Sequence, residues 1–135
     1  MPIEETAAGQ TASVGFQIGV RRTLPCAEEA LWQLLTSAEG LTIWLGGPIP
    51  LQQGASYTLA DGTTGELRVF RPGSHLRLTW QPPDWAAPAT IQVRVLPAKG
   101  GATLSIHQEW LPDSAARTAM KARWDEVIVR LAALL

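Results

Sequence analysis

Residues 112–135 read PDSAARTAMKARWDEVIVRLAALL and decide the fold, because they form the clearest helix in the chain. Their apolar side chains recur at spacings of three and four residues, which places them along one face of a helix of about 20 residues. Asp113 supplies its N-terminal cap. Such a helix is stable only when its apolar stripe is covered, so the rest of the chain must present an apolar surface to it. The stripe consists of Met120, Trp124, Val127, Ile128, Leu131 and Leu134, while Arg117, Lys121 and Arg123 are predicted on the outer, polar face.

The surface that covers this helix is predicted to be an antiparallel sheet of about six strands. Apolar and polar residues alternate from Phe16 to Arg21, as is typical of a half-buried strand. Two short helices follow, with Ser37 as the cap of the second, and the glycines and prolines of Gly46–Pro50 end this second helix. Turns at Asp61–Gly62 and Pro72–Gly73 then separate the strands of a meander. The predicted strands are residues 16–21, 56–60, 65–71, 75–81, 90–96 and 102–110.

The alternation within the strands predicts one apolar and one polar face for the sheet. In residues 75–81, Leu76, Leu78 and Trp80 share one side, and His75 lies on the other. Because both histidines have the parity of the polar face, we predict that they point away from the interior and have no catalytic or metal-binding role. In residues 102–110, the apolar side is predicted to hold Leu104, Ile106 and Trp110, and the outer side His107 and Glu109.

Composition excludes several classes of function. Eleven Lys+Arg against twelve Asp+Glu give a net charge of −1, and no segment concentrates one sign, which argues against nucleic acid as a partner. Cys26 is the only cysteine, so it forms no disulfide within the chain. Residues 1–13 read as a flexible tail without the features of a signal peptide, and no apolar run is long enough to span a membrane. We therefore expect one domain at residues 14–135, a cytoplasmic location, and neither a cofactor nor a metal.

The order of the elements, with the residues at their landmarks, resembles the START-like (SRPBCC) helix-grip superfamily. Within it the chain is most similar to the activator of heat-shock protein 90 ATPase homologues of the small bacterial type. The resemblance covers about residues 14–135 and is specific for the fold through the order and spacing of its fragments. These fragments are Phe16–Ile18, Leu24–Pro25, Glu29–Leu35, Leu41–Gly46, Gly65–Leu67, His75–Trp80, Gly101–Leu104, Arg123–Trp124 and Leu131–Leu135.

The resemblance implies a curved antiparallel sheet that grips the C-terminal helix and leaves a largely apolar cavity between them. We therefore predict that the protein binds a small apolar ligand there. Tryptophan positions refine this prediction: Trp32, Trp80, Trp110 and Trp124 fall on core faces, whereas Trp44 and Trp85 fall near loops and are candidates for the rim of a pocket. The predicted ligand-binding residues are Phe16, Ile18, Trp44, Tyr57, Trp80, Trp85, Val93, Ile106, Gln108, Met120 and Trp124.

Two other classes of function stay open from the sequence. A cyclase- or hydrolase-type enzyme would need inward polar groups, for which Tyr57, Gln108, Arg22 and Arg71 are the candidates. A stress-related interaction module would dock a partner through a sheet edge or an exposed apolar patch. The chaperone activators hold their client with a second domain that we do not expect in this chain, so chaperone contact is left open, as is a homodimer.

Overall fold

The computed structural model describes residues 10–11 and 15–135, which form one antiparallel sheet and three helices. It confirms the predicted α+β class and the predicted order of strand, two helices, meander and C-terminal helix. Most of the predicted tail, residues 1–9 and 12–13, lies outside the described residues. The elements are β1 (Gln10–Thr11), β2 (Gly15–Leu24), α1 (Glu28–Thr36), α2 (Ala38–Trp44), β3 (Ser56–Thr58), β4 (Thr64–Arg71), β5 (His75–Trp80), β6 (Ala89–Ala98), β7 (Gly101–Leu111) and α3 (Ser114–Ala132).

The strands of the sheet follow the order β1-β2-β7-β6-β5-β4-β3, and every neighbouring pair is antiparallel. Strands β3 to β7 form the predicted meander, in which each strand pairs with the next. Strand β2 pairs with β7, so the first and last long strands lie side by side. The two residues of β1 pair with Gly15 and Phe16 and add a strand within the segment expected to be a tail.

Helix α3 has the predicted cap and stripe. The Asp113 side chain accepts a hydrogen bond from the Ala116 backbone N–H at 2.7 Å, which satisfies one of the free donors of the first turn. The buried residues of α3 are Met120, Trp124, Val127, Ile128 and Leu131, whereas Leu134 lies beyond the helix and is exposed. Among the helices described here, none is both long and apolar enough to cross a lipid bilayer.

The inner face of the sheet supplies the apolar surface that α3 needs. Side chains of β5 and β6 alternate between buried and partly exposed, as the parity of the sequence predicts. Directly opposed pairs on this face include Val93 with Ile106 and Leu78 with Ile91, all almost fully buried. These apolar pairs form one continuous core with α1, α2 and α3.

Trp110 does not lie in the core, although strand parity predicts it there. Between the pairs Phe16–Leu111 and Ile18–Gln108, β7 has two residues, Glu109 and Trp110, where β2 has only Gln17. This β-bulge gives Trp110 a φ of 63° and turns its side chain outward, so that 51% of it is exposed. Leu111 takes the inward position instead and is buried.

Candidate ligand-binding site

A buried glutamine links the inner face of the sheet to α3. Gln108 has no exposed surface, and its neighbours across the sheet are Ile18 on β2 and Ile91 on β6. The indole Nε1 of Trp124 donates a hydrogen bond to Gln108 Oε1 at 2.9 Å. The amide Nε2 of Gln108, in contrast, has no hydrogen-bond partner within the part of the chain that the structure describes. This nitrogen is therefore an unused donor in an apolar interior.

An arginine next to Trp124 links it to two more tryptophans. Trp80, at the end of β5, contacts Trp85 edge to face, with ring centroids 5.3 Å apart and planes at 84°. The guanidinium carbon of Arg123 lies 5.3 Å from the centroid of Trp80 and 5.9 Å from that of Trp124. We call Trp80, Trp85, Arg123 and Trp124 the tryptophan cluster.

Arg123 was predicted on the outer face of α3, and the structure corrects this. The side chain is half-buried and lies against the cluster. Burial lowers the pKa of its guanidinium, and the charge of Asp61 opposes that effect. The spacing carries a signal for this position, since Arg123 follows Met120 by three residues and precedes Val127 by four, which places it at the border of the apolar stripe.

Tyr57 lies beside the cluster and has a structural contact of its own. Its hydroxyl donates a hydrogen bond to the Thr79 carbonyl oxygen, and burial raises the pKa of the phenol. The phenol ring crosses β4 at Gly65, where a Cβ atom would collide with the Thr79 oxygen and with Tyr57 itself. Only glycine leaves room for this crossing, so Tyr57 and Gly65 together join β3 to β5.

The structure brings six of the predicted ligand-binding residues near one another, places Ile18 opposite one of them, Gln108, and spreads the other four. Tyr57, Trp80, Trp85, Gln108, Met120 and Trp124 belong to the sheet and helix surfaces around the cluster. Ile18, Val93 and Ile106 lie within the core. Trp44, predicted near the rim of a pocket, is instead fully buried, with its indole nitrogen bonded to the Leu35 carbonyl at 2.8 Å. Phe16 packs partly buried at the start of β2.

The interior around Gln108 is closed by these side chains. Walls of an empty, ligand-sized cavity would carry accessible surface, yet Gln108, Trp124, Met120 and Trp80 are between 0 and 5% exposed. A groove of about 1160 Å³ lies elsewhere, across the outer face of the sheet and beneath residues 84–88. Its wall includes Phe16, Trp85, Trp110, Arg77 and Glu109.

Both histidines lie on the outer face of the sheet, as predicted. His75 Nδ1 is 2.8 Å from the Ser74 hydroxyl, and His107 Nε2 is 2.9 Å from Gln17 Oε1. Glu109 is paired with Arg77 at 3.2 Å and lies 3.9 Å from His107 Nδ1. No group of three or more His, Cys, Asp or Glu side chains within residues 10–11 and 15–135 is arranged to hold a metal ion.

Two of the polar candidates do not reach the interior, and the single cysteine is not activated. Arg22 and Arg71, considered as inward groups at strand ends, are both exposed to solvent. Arg22 lies in a run of three exposed residues of β2, before the buried Leu24, and Arg71 is the last residue of β4. Cys26 is partly buried against the core, and burial raises the pKa of its thiol, which disfavours the reactive thiolate.

Comparison with known proteins identifies one family and a set of similar folds. The profile of the family described as activator of Hsp90 ATPase homolog 1-like protein matches residues 25–135. No curated protein sequence matches the chain.

Three solved structures illustrate the similar folds, and at their identities the likeness shows the fold alone. Protein MLL2253 from Mesorhizobium loti is 22% identical, with a TM-score of 0.73 over 87% of this chain and 95% of that chain. CalU16 from Micromonospora echinospora is 15% identical, with a TM-score of 0.76 over 86% and 71%. PFC0360w, an Hsp90 activator from Plasmodium falciparum, is 20% identical, with a TM-score of 0.61 over 71% and 74%.

Proposed function

The chain belongs to the activator of Hsp90 ATPase homolog 1-like family, and from this premise we propose that it binds a small apolar ligand between the sheet and α3. The ligand lies against the tryptophan cluster and reaches Gln108. Of the other predicted residues, Ile18 lies opposite Gln108, whereas Trp44, Val93 and Ile106 support the site from the core. Phe16 packs against the core at the start of β2.

The observation that carries the proposal is the unpaired Nε2 of Gln108. A buried N–H donor without an acceptor destabilises a protein by about 1–3 kcal/mol, so such groups are rare. The hydrogen bond from Trp124 fixes which amide atom is the acceptor, and the free donor is therefore Nε2. A ligand with a carbonyl, ether or hydroxyl oxygen would supply the missing acceptor, while its apolar body would contact Ile18, Ile91 and Trp124.

Binding requires the closed interior to open. Met120 has a flexible, unbranched side chain and lies one turn before Trp124 on α3, so it is suited to move aside. Trp85 lies on the loop between β5 and β6 and covers the edge of Trp80, so displacement of that loop would expose the cluster. The ligand-bound state is therefore a rearranged one, in which the ligand replaces contacts that these side chains make with each other.

Titration with neutral apolar probes tests the proposal. Suitable probes are 1-decanol, progesterone, farnesol and methyl 2-naphthoate, which represent four chemical classes. A probe that binds only the folded protein raises its apparent stability by RT ln(1 + [L]/Kd), so a saturable rise in Tm is expected for at least one class. The six indole N–H groups provide a map of the site by NMR, and the signal of Trp124 is expected to shift.

Two variants sharpen this test. Gln108→Met combined with Trp124→Phe removes both polar partners and is expected to abolish the saturable effect. Gln92→Met, on the outer side of β6, makes the same chemical change outside the interior and is expected to preserve it. If no class of probe stabilises the protein, or if the signals of Trp85 and Trp110 shift without that of Trp124 because the probe occupies the outer groove, the proposal is wrong.

The other functions that the sequence left open need separate measurements. A cyclase- or hydrolase-type activity would appear as turnover of whichever probe binds. Contact with a chaperone would appear as co-purification with it, and a homodimer as a doubled mass in sedimentation equilibrium.

A further inference from the structure

Arg123 is a cation at the edge of the proposed site whose N–H donors have no partner among the described residues. Within residues 10–11 and 15–135, its guanidinium makes neither a hydrogen bond nor an ion pair, and its contacts are the faces of Trp80 and Trp124. Arg117, two turns earlier on the same helix, differs in this respect, since its Nε donates to the Gln17 carbonyl oxygen at 2.8 Å. Arg123 is therefore half-buried without the polar partner that its neighbour has.

Asp61, whose charge acts on Arg123, does not supply that partner. Asp61 acts on Arg123 through space and raises its pKa, but its Oδ1 accepts a hydrogen bond from the Thr63 backbone N–H at 2.9 Å. This bond holds Asp61 within its own turn and lowers the pKa of the carboxyl. The guanidinium of Arg123 remains charged at neutral pH, partly stripped of water and with N–H groups free to bind an anion.

The polar groups of the proposed site differ along its length. At the buried end the site has one neutral donor, Gln108 Nε2, and at its edge it has the cationic guanidinium of Arg123. Trp124 lies between the two, since it contacts both Gln108 and Arg123, and Trp80 presents a second apolar ring to Arg123. A planar guanidinium binds a carboxylate through two parallel hydrogen bonds, which are stronger than neutral ones.

We infer that the ligand is an apolar carboxylic acid whose carboxylate binds Arg123 while its apolar body lies against Trp80 and Trp124. This inference rests on the proposed function and specifies its ligand class. Arg123 is then the residue that selects acids over neutral molecules of the same shape. The Asp61 carboxylate weakens this selection by repulsion, because it lies close enough to act on the same guanidinium.

Matched acid and neutral probes test the inference. Decanoic acid is compared with 1-decanol, and 2-naphthoic acid with methyl 2-naphthoate, by isothermal titration calorimetry at pH 7.5 or by Trp fluorescence. The parent protein is expected to bind the acid of at least one pair about tenfold more tightly than its neutral partner. Arg123→Met keeps the apolar stem but removes the charge, and we expect it to bind the acid and the neutral probe of that pair about equally.

Three further variants control the experiment. Arg130→Met removes the same charge from an exposed position on the same helix and is expected to keep the full preference. Asp61→Asn removes the repelling charge and is expected to increase the preference two- to threefold, as an order-of-magnitude estimate for an exposed charge pair. Should Arg123→Met fail to fold, Arg123→Lys keeps a positive charge without the planar fork and is expected to lower the preference severalfold.

The outcomes separate this inference from the proposed function. If the neutral probes bind but the acids bind no better, or if Arg123→Met keeps the preference, the inference is overturned and the proposed function stands. If neither acids nor neutral probes bind, the proposed function fails, and the inference fails with it.

Discussion

Substitution of Gln108 by methionine, alone and with Trp124→Phe, tests whether the buried amide nitrogen truly lacks a partner. Methionine is close to glutamine in shape and flexibility but has neither an amide donor nor an amide acceptor. Among the described residues of the parent protein, one buried side-chain polar atom is unpaired, Gln108 Nε2. Gln108→Met removes this atom but leaves Trp124 Nε1 without its acceptor, so one unpaired donor replaces another. The free energy of unfolding is therefore expected to change by less than about 1 kcal/mol.

The effect of the same substitution changes when Trp124 is phenylalanine. Trp124→Phe leaves both polar atoms of Gln108 unpaired and opens a small cavity, so a loss of about 2–5 kcal/mol is expected. In that background Gln108→Met removes two unpaired atoms at once. At about 1–3 kcal/mol for each atom, the substitution is expected to stabilise the protein by about 2 kcal/mol or more.

Urea unfolding of the four proteins, followed by circular dichroism and fluorescence, measures these differences. At least five of the six tryptophans remain in every variant, so the fluorescence signal is kept. Gln92→Met on the outer face is the matched control and is expected to change stability by less than about 0.5 kcal/mol. A cost of about 2 kcal/mol or more for Gln108→Met in the parent protein would show that Nε2 has a partner, such as a buried water. The argument for a ligand acceptor at this atom would then be refuted.

Three further outcomes are expected. Gly65→Ala places a Cβ atom against the Thr79 oxygen and should destabilise the protein by about 1–3 kcal/mol in urea unfolding. Gly19→Ala is the control, because a Cβ atom at residue 19 meets only ordinary contacts, and it should cost less than about 1 kcal/mol. Trp110→Gly should be more stable than Trp110→Ala by about 1 kcal/mol, because both lose the ring but only glycine adopts a φ of 63° without strain. The opposite order of melting temperatures would contradict the positive φ that the bulge gives to residue 110. Tyr57 is the only tyrosine, and its pKa is raised in the folded state. Its contribution to the free energy of unfolding should therefore be complete below about pH 10 and decline above it. An ordinary phenol titration of the folded protein, followed by absorbance at about 295 nm, would contradict this.

The sequence predicted the parts of the fold that depend on local patterns. Asp113 caps α3, and the stripe from Met120 to Leu131 is buried, because a helical period and a capping side chain act within a few residues of each other. Strand parity placed Gln108 inside and His107 outside for the same reason.

Features that depend on a partner strand or on distant packing were not predictable in the same way. The position of Trp110 follows from a bulge, which arises from the pairing of β7 with β2 and leaves no local signature. The burial of Trp44 depends on the carbonyl of Leu35, which α1 brings to it. Arg123 was assigned to solvent by its charge, and only the position of Trp80 on a separate strand shows that the stem is covered.

The amide oxygen of Gln108, unlike its nitrogen, is hydrogen-bonded, and this bond affects how α3 is positioned on the sheet. Two side-chain hydrogen bonds join α3 to the sheet in the described part of the chain, from Arg117 to Gln17 and from Trp124 to Gln108. Apolar contacts alone would tolerate a sliding or rolling helix, since they have no direction. Two directional bonds, separated by seven residues or about 10 Å of helix, specify both the axial position and the rotation of α3, much as one buried asparagine sets the alignment of a coiled coil.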